Sequence, residues 1–390
     1  EERRVNWEIL DAWRDAAADA GIPKIAEFNR GDNSGNAYFQ MNQRRGSRWS
    51  ATKAFLDPAK TRPNLTILTE SHVQKLLFDD ISGEKRCTGI QVQTKQGTET
   101  FKASREVLLS AGSIGSPQIL QLSGVGNGDS LKERGVVPGH ELPGVGENLQ
   151  DHLQVRTIYK VNNTVTLNQR VHSLFGLAAM GIEYFLLKTG PLTMPPSQLG
   201  AFAKSDESQP TANIEWHVQP LSLDKFGDPL HKYNAITPSV CNLRPSSRGH
   251  VRIKSNRPED YPAITLNYLS TEEDLQVAVS GLKYTRKIMA SPALSKFKPE
   301  ELKPGADVVT DADLERAARD LGTTIFHPVG TCKMGNDSLS VVNHRLEVHG
   351  IKGLRVIDAS VMPTITSGNT NAPTVMIAEK GAVFILEDAD

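Results

Sequence analysis

A histidine next to a proline is the residue pair in this chain that most suggests chemistry. His327 lies in TTIFHPVGTCKMG, residues 323–335, and it is the only one of the ten histidines that a proline follows. Pro328 favours an extended backbone at the residue before it, which would hold the imidazole in a fixed direction. A neutral imidazole, with a reference pKa of about 6.5, can accept a proton near neutral pH. These residues alone allow two interpretations, a catalytic acid/base or a buried structural histidine.

Two later segments could place polar groups beside such a base. Asp358 follows an apolar run in LRVIDASVMP, and Asn369 lies in the amide-rich segment SGNTNAPT before an apolar C-terminal run. A carboxylate at the end of a parallel strand lies where α/β folds bind ligands, and a helix N-terminus attracts anions. Each segment also has a structural interpretation, since such an Asp often caps a helix and Asn-rich loops are often turns.

The patterns around these residues predict the elements that would position them. Helical spacing is present at 5–20, at 271–290 and, with Pro373 near the helix start, at 367–386. Alternation predicts a strand, a polar turn and a second strand within 62–80, followed by further strands and a buried strand in EVLLSAG. A helix should follow within 110–126, with Pro117 at an early position where a missing N–H is tolerated.

The order of these elements predicts an α/β domain with a second, α+β domain inserted in it. The insert should contain strands such as NIEWHVQP, in which Glu215 and Trp216 are neighbours. Side chains that are adjacent on a strand point to opposite faces. Glu215 and Trp216 should therefore not line one pocket together, and choline, which favours an aromatic cage with a carboxylate, is not the expected substrate.

Composition argues against several functions. The chain has 44 Lys and Arg against 45 Asp and Glu, a balance that argues against nucleic-acid binding. Cys87, Cys241 and Cys332 form neither a disulfide framework nor a CxxC zinc motif, which predicts reduced thiols in an intracellular protein. The apolar stretch 173–192, interrupted by charges, falls short of the ~20 apolar residues of a membrane span. It should form a buried or interface-lying helix, so peripheral membrane association remains open.

Four blocks of the sequence resemble those of the glucose–methanol–choline (GMC) flavin oxidoreductases, in the same order. They are GSIGSPQILQLSGVG, VGENLQDH, FHPVGTCKMG and LRVIDASVMPTITSGNTNAPTVMIAEK. The resemblance covers nearly the whole chain and is greatest to choline-dehydrogenase-like alcohol dehydrogenases, also in SVCNLRPSSRGHVRIKS and NYLST. The family's G-x-G-x-x-G motif is absent from this sequence. The resemblance therefore implies an FAD-binding domain at 46–154 and 345–390 that lacks its N-terminal βαβ unit, with a substrate domain at 1–45 and 155–344 built on an antiparallel sheet with helices.

The resemblance implies FAD-dependent oxidation of an alcohol to an aldehyde, with hydride passing to flavin N5. His327 matches the family's base, and Asn369 matches the residue that assists it. Asn148, Asp151 and His152, in VGENLQDH, are expected to hold a loop rather than to take part in the chemistry. The electron acceptor, a quinone or oxygen, is not encoded visibly, and the location is expected to be the cytoplasm or the cytoplasmic side of a membrane.

The same resemblance assigns residues to the cofactor. Asp358 and Ala359 match positions beside the diphosphate and the ribityl chain, Asn371 and Thr374 match positions near the flavin pyrimidine ring, and Val73 matches a backbone contact to adenine. Two alternative functions remain, a hydroxynitrile lyase with the GMC fold and a non-catalytic fragment unable to hold FAD alone.

Overall fold

The computed structural model describes residues 1–81 and 83–389, which form two compact units. Unit 1 comprises Glu1–Ile67, Leu153–Leu243 and Glu272–Thr323; unit 2 comprises Leu68–His152, Arg244–Thr271 and Thr324–Asp390. These limits differ from the predicted domain boundaries, because residues 46–67 belong to unit 1 and residues 244–271 and 324–344 to unit 2. The assignment of FAD binding and substrate binding to separate domains stays a prediction.

Unit 1 is built on an antiparallel sheet, as predicted. Its consecutive strands are Gly35–Tyr38, Leu199–Ala203, Ile214–Gln219, Ala235–Asn242, Leu153–Arg156 and Gly322–Thr324, and Ile158–Lys160 joins Ala235–Asn242 to Glu300–Lys303. Two short strands, Gln43–Arg44 and Ser47–Arg48, pair separately. The helices of this unit are Glu8–Asp19, Asp57–Ala59, Leu167–Val171, Leu174–Leu187, Glu272–Met289 and Asp311–Leu321, with shorter 3₁₀ or π turns at Thr52–Leu56, Pro191–Thr193 and Pro292–Phe297.

The two faces of this sheet differ in polarity. Trp216 faces the helix Glu272–Met289, where its indole N–H donates to the Thr285 hydroxyl at 2.8 Å. Glu215 is on the other face, where its carboxylate contacts the His217 imidazole at 3.3 Å. The prediction that Glu215 and Trp216 point to opposite faces is therefore confirmed, as the alternation of side chains along a strand requires.

The apolar stretch 173–192 forms the helix Leu174–Leu187, in which Met180 alone is buried. Its exposed apolar side chains are Leu174, Phe175, Leu177, Ile182, Phe185, Leu186 and Leu187. The predicted alternative of a buried helix is therefore wrong. Among the described residues, no helix combines the length and the apolar character that crossing a membrane requires.

Unit 2 contains a three-stranded antiparallel sheet, His72–Ile81, Glu84–Thr94 and Gly97–Lys102, and a parallel pair, Val107–Leu109 with Leu354–Val356. Its shorter strands are Val125–Gly126, His140–Glu141, His250–Arg252 and Ala263–Thr265, and its helices are Gly112–Leu122, Gly128–Glu133 and Asn371–Glu387. The core between them includes Leu109, Leu120, Cys332 and Val356. The first strand predicted within 62–80 is wrong: the exposed residues 62–70 pair with no strand in the described chain, so a strand there would lack backbone partners.

Pro117 lies deeper in its helix than predicted. The helix begins at Gly112, which puts Pro117 at its sixth position rather than in the first turn. A proline there leaves the carbonyl four residues earlier without its helical N–H donor. That carbonyl, of Ser113, instead accepts from the Thr331 hydroxyl at 2.6 Å, and the Ser113 hydroxyl donates to the Pro328 carbonyl at 2.7 Å. The helix is thereby fastened to the segment that carries His327.

Candidate active site

The segment 325–329 that carries His327 pairs with the segment 150–152. The Gln150 and Val329 backbones exchange two hydrogen bonds of 3.0 and 2.8 Å, and the Ile325 N–H donates to the His152 carbonyl at 3.2 Å. These contacts form a short antiparallel ladder within unit 2. The position of His327 is therefore set by residues that lie about half the chain earlier in the sequence.

The Asp151 carboxylate links the two segments of this ladder next to His327. One of its carboxylate oxygens accepts the backbone N–H groups of both His152 and His327, each at 2.9 Å. The other oxygen accepts the hydroxyls of Thr324, at 2.5 Å, and Tyr268. Burial raises the pKa of Asp151, and these four donors oppose the shift. The expectation that Asp151 holds a loop agrees with this arrangement, and the loop that it holds carries His327.

Gly330 lets the two segments approach closely. Its φ of 93° lies in the left-handed region, and a Cβ at this position would stand 2.6 Å from the Asn148 carbonyl oxygen. The Asn148 amide donates to the Gly330 and Pro363 carbonyls at 3.2 and 3.3 Å. Only glycine combines this φ with the absence of a Cβ. Asn148 therefore also has the loop-holding position that the sequence predicts.

The structure brings His327 and Asn369 together, although 42 residues separate them in the chain. The Asn369 side-chain nitrogen Nδ2 lies 3.2 Å from His327 Nε2. On the opposite side of the ring, His327 Nδ1 lies 3.0 Å from His152 Nδ1. The two imidazoles meet edge to face, at an interplanar angle of 82°. Each ring nitrogen of His327 thus has one nitrogen atom as its partner: Asn369 Nδ2 at Nε2 and His152 Nδ1 at Nδ1.

Burial determines the charge of this imidazole. His327 is 8% exposed, and loss of solvation lowers its pKa to about 4. The ring is therefore neutral at pH 7, so it can accept a proton.

Asp358 lies in the same unit, and its side chain already has protein partners. Its carboxylate accepts from the Ser360 N–H at 2.8 Å, from the Gly112 N–H at 2.9 Å and from the Ser116 hydroxyl at 2.5 Å. Ala359 begins the 3₁₀ turn Ala359–Val361. Asp358 therefore caps the turn Ala359–Val361, in agreement with its alternative interpretation as a helix cap. The same carboxylate also binds the start of the helix Gly112–Leu122.

Asn371 and Thr374 lie in the first turn of the helix Asn371–Glu387. The Thr374 hydroxyl donates to the Thr370 carbonyl at 2.7 Å, inside the helix. The N-cap residue Thr370 makes no side-chain hydrogen bond to the helix, so no capping side chain covers the N–H groups of this first turn. In the preceding loop, the Thr366 hydroxyl is a buried atom without a hydrogen-bond partner among the described residues.

These features fit an FAD isoalloxazine ring beside the helix. Uncapped N–H groups and an unpaired hydroxyl are donors that suit the oxygen and nitrogen acceptors of a flavin pyrimidine ring. Val73 lies in a separate element, the strand His72–Ile81, where the pairing register shifts between Val73 and Lys75. The adenine contact of Val73 stays a prediction.

Sequence reasoning missed the role of His152. It is fully buried, and its ring rather than its backbone alone contacts His327. The sequence contains one signal, since His152 directly follows Asp151 in VGENLQDH. That signal does not identify a partner 175 residues away. Cys332, in the segment that follows His327, is buried and forms no disulfide.

A second titratable cluster lies on the polar face of the unit 1 sheet. Glu215, His217 and Cys241 are buried, with ligand-type atoms within 4.8 Å of one another. Glu215 and Cys241 are directly opposite in the register of neighbouring strands, and His217 is two residues along. Both Glu215 oxygens lack a well-directed hydrogen bond among the described residues, and burial raises the pKa of Glu215 to about 8.

We expect the substitution Glu215→Gln to remove a pH dependence of stability. In the folded state Glu215 keeps its proton up to about pH 8, whereas the unfolded chain releases it near the ordinary glutamate pKa of 4.5. The free energy of unfolding should therefore fall as the pH rises from 4.5 to 8, by an amount on the order of 4 kcal/mol. In Glu215→Gln the free energy of unfolding should not fall over this pH range, and at pH 8 the variant should be more stable than the wild type.

Urea unfolding at pH 5 and at pH 8 would measure this effect. Glu273→Gln, at an exposed glutamate of the same unit, is the matched control and should behave like the wild type. If the free energy of unfolding changes equally between pH 5 and pH 8 in the wild type and in Glu215→Gln, Glu215 is ionised in the folded protein at pH 8.

Comparison with known proteins identifies the same family over most of the chain. Two family profiles described as GMC oxidoreductase match residues 2–154 and 245–378. An alcohol dehydrogenase [acceptor] of Pseudomonas putida is 38% identical over 378 residues, which are 96% of this chain and 68% of the relative. An oxygen-dependent choline dehydrogenase of Escherichia coli is 40% identical over 380 residues, which are 97% of this chain and 67% of the relative.

Solved structures agree in fold. Pyridoxine 4-oxidase from Mesorbium loti superposes with a TM-score of 0.84 at 28% identity, covering 97% of this chain and 69% of the other. An FAD-dependent oxidoreductase from Chaetomium thermophilum superposes with a TM-score of 0.88 at 25% identity, covering all of this chain and 73% of the other. The match covers this chain almost from end to end. The chain thus spans about two thirds of the length of these relatives.

Proposed function

Because the chain belongs to the GMC oxidoreductase family, whose FAD-dependent enzymes act on CH–OH donors, we propose that it oxidises an alcohol to an aldehyde with His327 as the base and Asn369 assisting. The observation that carries this proposal is the position of His327 Nε2, 3.2 Å from the Asn369 amide. A neutral imidazole nitrogen and an amide next to it can bind one alcohol hydroxyl. The imidazole would take the hydroxyl proton, and the amide would bind the oxygen.

The amide is suited to this assisting role because it does not titrate. Asn369 can donate a hydrogen bond to the substrate oxygen and cannot compete for its proton. It is exposed in this structure, whereas the His327 ring is almost fully buried. The substrate oxygen would therefore meet an accessible donor and a fixed acceptor. A fixed acceptor lowers the entropy cost of reaching the reactive geometry.

The residues proposed to hold FAD are Val73, Asp358, Ala359, Asn371 and Thr374. The uncapped start of the helix Asn371–Glu387 would place positive partial charge against the pyrimidine ring. Asp358 would act indirectly, because its three protein donors fix the turn that begins at Ala359. FAD, when bound, would supply the acceptor for the hydride that leaves the alcohol carbon.

The partners of the reaction are proposals as well. A small alcohol is the substrate, and an external acceptor, a quinone or oxygen, takes the electrons. The names of the two curated relatives, with "[acceptor]" and "oxygen-dependent", cover both kinds of acceptor. The exposed apolar side chains of the helix Leu174–Leu187 support peripheral association with a membrane, in which a quinone acceptor would dissolve.

Anaerobic mixing of the FAD-loaded protein with primary alcohols tests the proposal. Bleaching of the oxidised flavin absorbance, with one aldehyde formed per flavin, is the expected result. Bound flavin that no alcohol reduces, together with cleavage of a cyanohydrin, would support a lyase instead. A protein that retains no flavin after loading would correspond to a non-catalytic fragment. Secondary alcohols of equal size serve as the control for substrate class.

A further inference from the structure

The two buried histidines form a directed pair. His152 is fully buried and His327 nearly so, and the 3.0 Å contact joins Nδ1 of one ring to Nδ1 of the other. Such a contact is a hydrogen bond only when one of the two nitrogens carries a proton and the other has a free lone pair. The direction of this bond therefore determines which nitrogen of His327 can act as a base.

The partner on the other side of His327 decides the direction. In the orientation that the Asn369 amide has in this structure, its Nδ2 faces His327 Nε2 at 3.2 Å, and a donor at this place favours a lone pair on Nε2. A neutral imidazole carries one ring proton, which must then be on Nδ1. His327 Nδ1–H in turn donates to His152 Nδ1, which must be unprotonated. The chain of bonds runs from Asn369 through His327 to His152.

The backbone keeps the two rings in this arrangement. One oxygen of Asp151 binds the N–H groups of both residues, and the Ile325 N–H binds the His152 carbonyl. Neither histidine can shift along its segment without breaking a hydrogen bond to the other segment. The ring contact is thus built into the ladder that carries it.

We propose that His152 is a positioning residue that fixes His327 in the tautomer with a free Nε2 and shares the positive charge when Nε2 accepts the substrate proton. The proposal rests on the proposed function, because it concerns the proton that alcohol oxidation releases. That proton passes from the substrate oxygen to His327 Nε2, and the ring then holds protons on both nitrogens. The Nδ1–H···Nδ1 bond to His152 becomes charge-assisted, which strengthens it as the charge develops. No proton leaves the pair in this step.

Two variants of nearly equal size separate this role from packing. His152→Asn can keep an oxygen acceptor close to the position of Nδ1, whereas His152→Leu has no acceptor. In the FAD-loaded protein we expect His152→Leu to slow flavin reduction by about a hundredfold at saturating alcohol. His152→Asn should retain at least about ten times the rate of His152→Leu. A purely structural role would predict similar losses, or a smaller loss for the apolar leucine in a buried site.

The tautomer itself can be measured without turnover. In protein labelled with ¹⁵N-histidine, long-range ¹H–¹⁵N spectra should show His327 with a protonated Nδ1 and an unprotonated Nε2, in wild type and in His152→Asn. A wild-type His327 protonated on Nε2 would overturn the proposal, even if alcohol reduces the flavin. If no alcohol reduces the flavin, the proposed function fails, and the spectra still decide the tautomer. If His152→Leu does not fold, the spectra of the wild type and of His152→Asn still show which nitrogen of His327 is protonated.

Discussion

Replacing His327 by glutamine is expected to slow alcohol-dependent flavin reduction by about a thousandfold, the middle of the range for loss of a general base. At pH 7 the wild-type imidazole is neutral, because burial lowers its pKa to about 4. Glutamine has similar reach but no group that can take the hydroxyl proton. Stopped-flow measurement of the reduction of bound flavin at saturating alcohol gives the rate directly. FAD content should stay unchanged, because His327 is not among the residues proposed to hold the cofactor.

A second histidine substitution provides the control for this result. His344 is exposed in the same unit, and His344→Gln should reduce flavin at the wild-type rate. If His327→Gln keeps a wild-type reduction rate while it binds FAD normally, His327 is not the base. A variant that loses its flavin would instead make His327 part of the cofactor site.

Replacing Asp151 by alanine is expected to destabilise the protein by about 3 kcal/mol. The substitution removes one buried carboxylate that accepts from the backbone N–H groups of His152 and His327 and from the hydroxyls of Thr324 and Tyr268. Buried donors left without acceptors lower stability more than the loss of one average hydrogen bond. Urea unfolding followed by far-UV circular dichroism, which reports the secondary structure of both units, measures the difference.

Asp151→Asn is the matched variant, because it keeps the size of the side chain and one acceptor oxygen. That oxygen can still bind the two N–H groups, while the Thr324 and Tyr268 hydroxyls would have to turn and accept from the new amide. We therefore expect a smaller loss of stability than for Asp151→Ala, and an active enzyme with a reduced rate. Equal stabilities of Asp151→Ala and the wild type would mean that water replaces the carboxylate at this position.

The sequence predicts which residues belong to the candidate site, and the structure shows how those residues contact one another. His327 and Asn369 were identified from residue type and from the family resemblance, and the structure brings them within hydrogen-bonding distance. Asp358 was placed correctly at the end of a parallel strand, since Leu354–Val356 pairs in parallel with Val107–Leu109. Periodicity also predicted the long helices, as in Glu272–Met289, because their apolar spacing is regular over several turns.

The remaining features depend on contacts between distant segments. Nothing in the spacing of residues 150–152 and 325–329 sets the register that joins the two imidazoles. Pro117 shows the same limit, because its position inside a helix is tolerated only where Thr331 supplies a donor. The apolar spacing of Leu174–Leu187 predicted the helix correctly and could not show that its apolar side chains are exposed.

The ladder between 150–152 and 325–329 also bears on the order in which the protein assembles. The Asp151 contact to the His327 backbone closes a loop of 176 residues, most of which belong to the other unit. During synthesis, residues 150–152 leave the ribosome well before their partners exist. Contacts so distant in sequence form slowly, and the segment that must wait exposes unpaired backbone groups. We therefore expect the segment that carries His327 to be among the last parts of the chain to reach its native position.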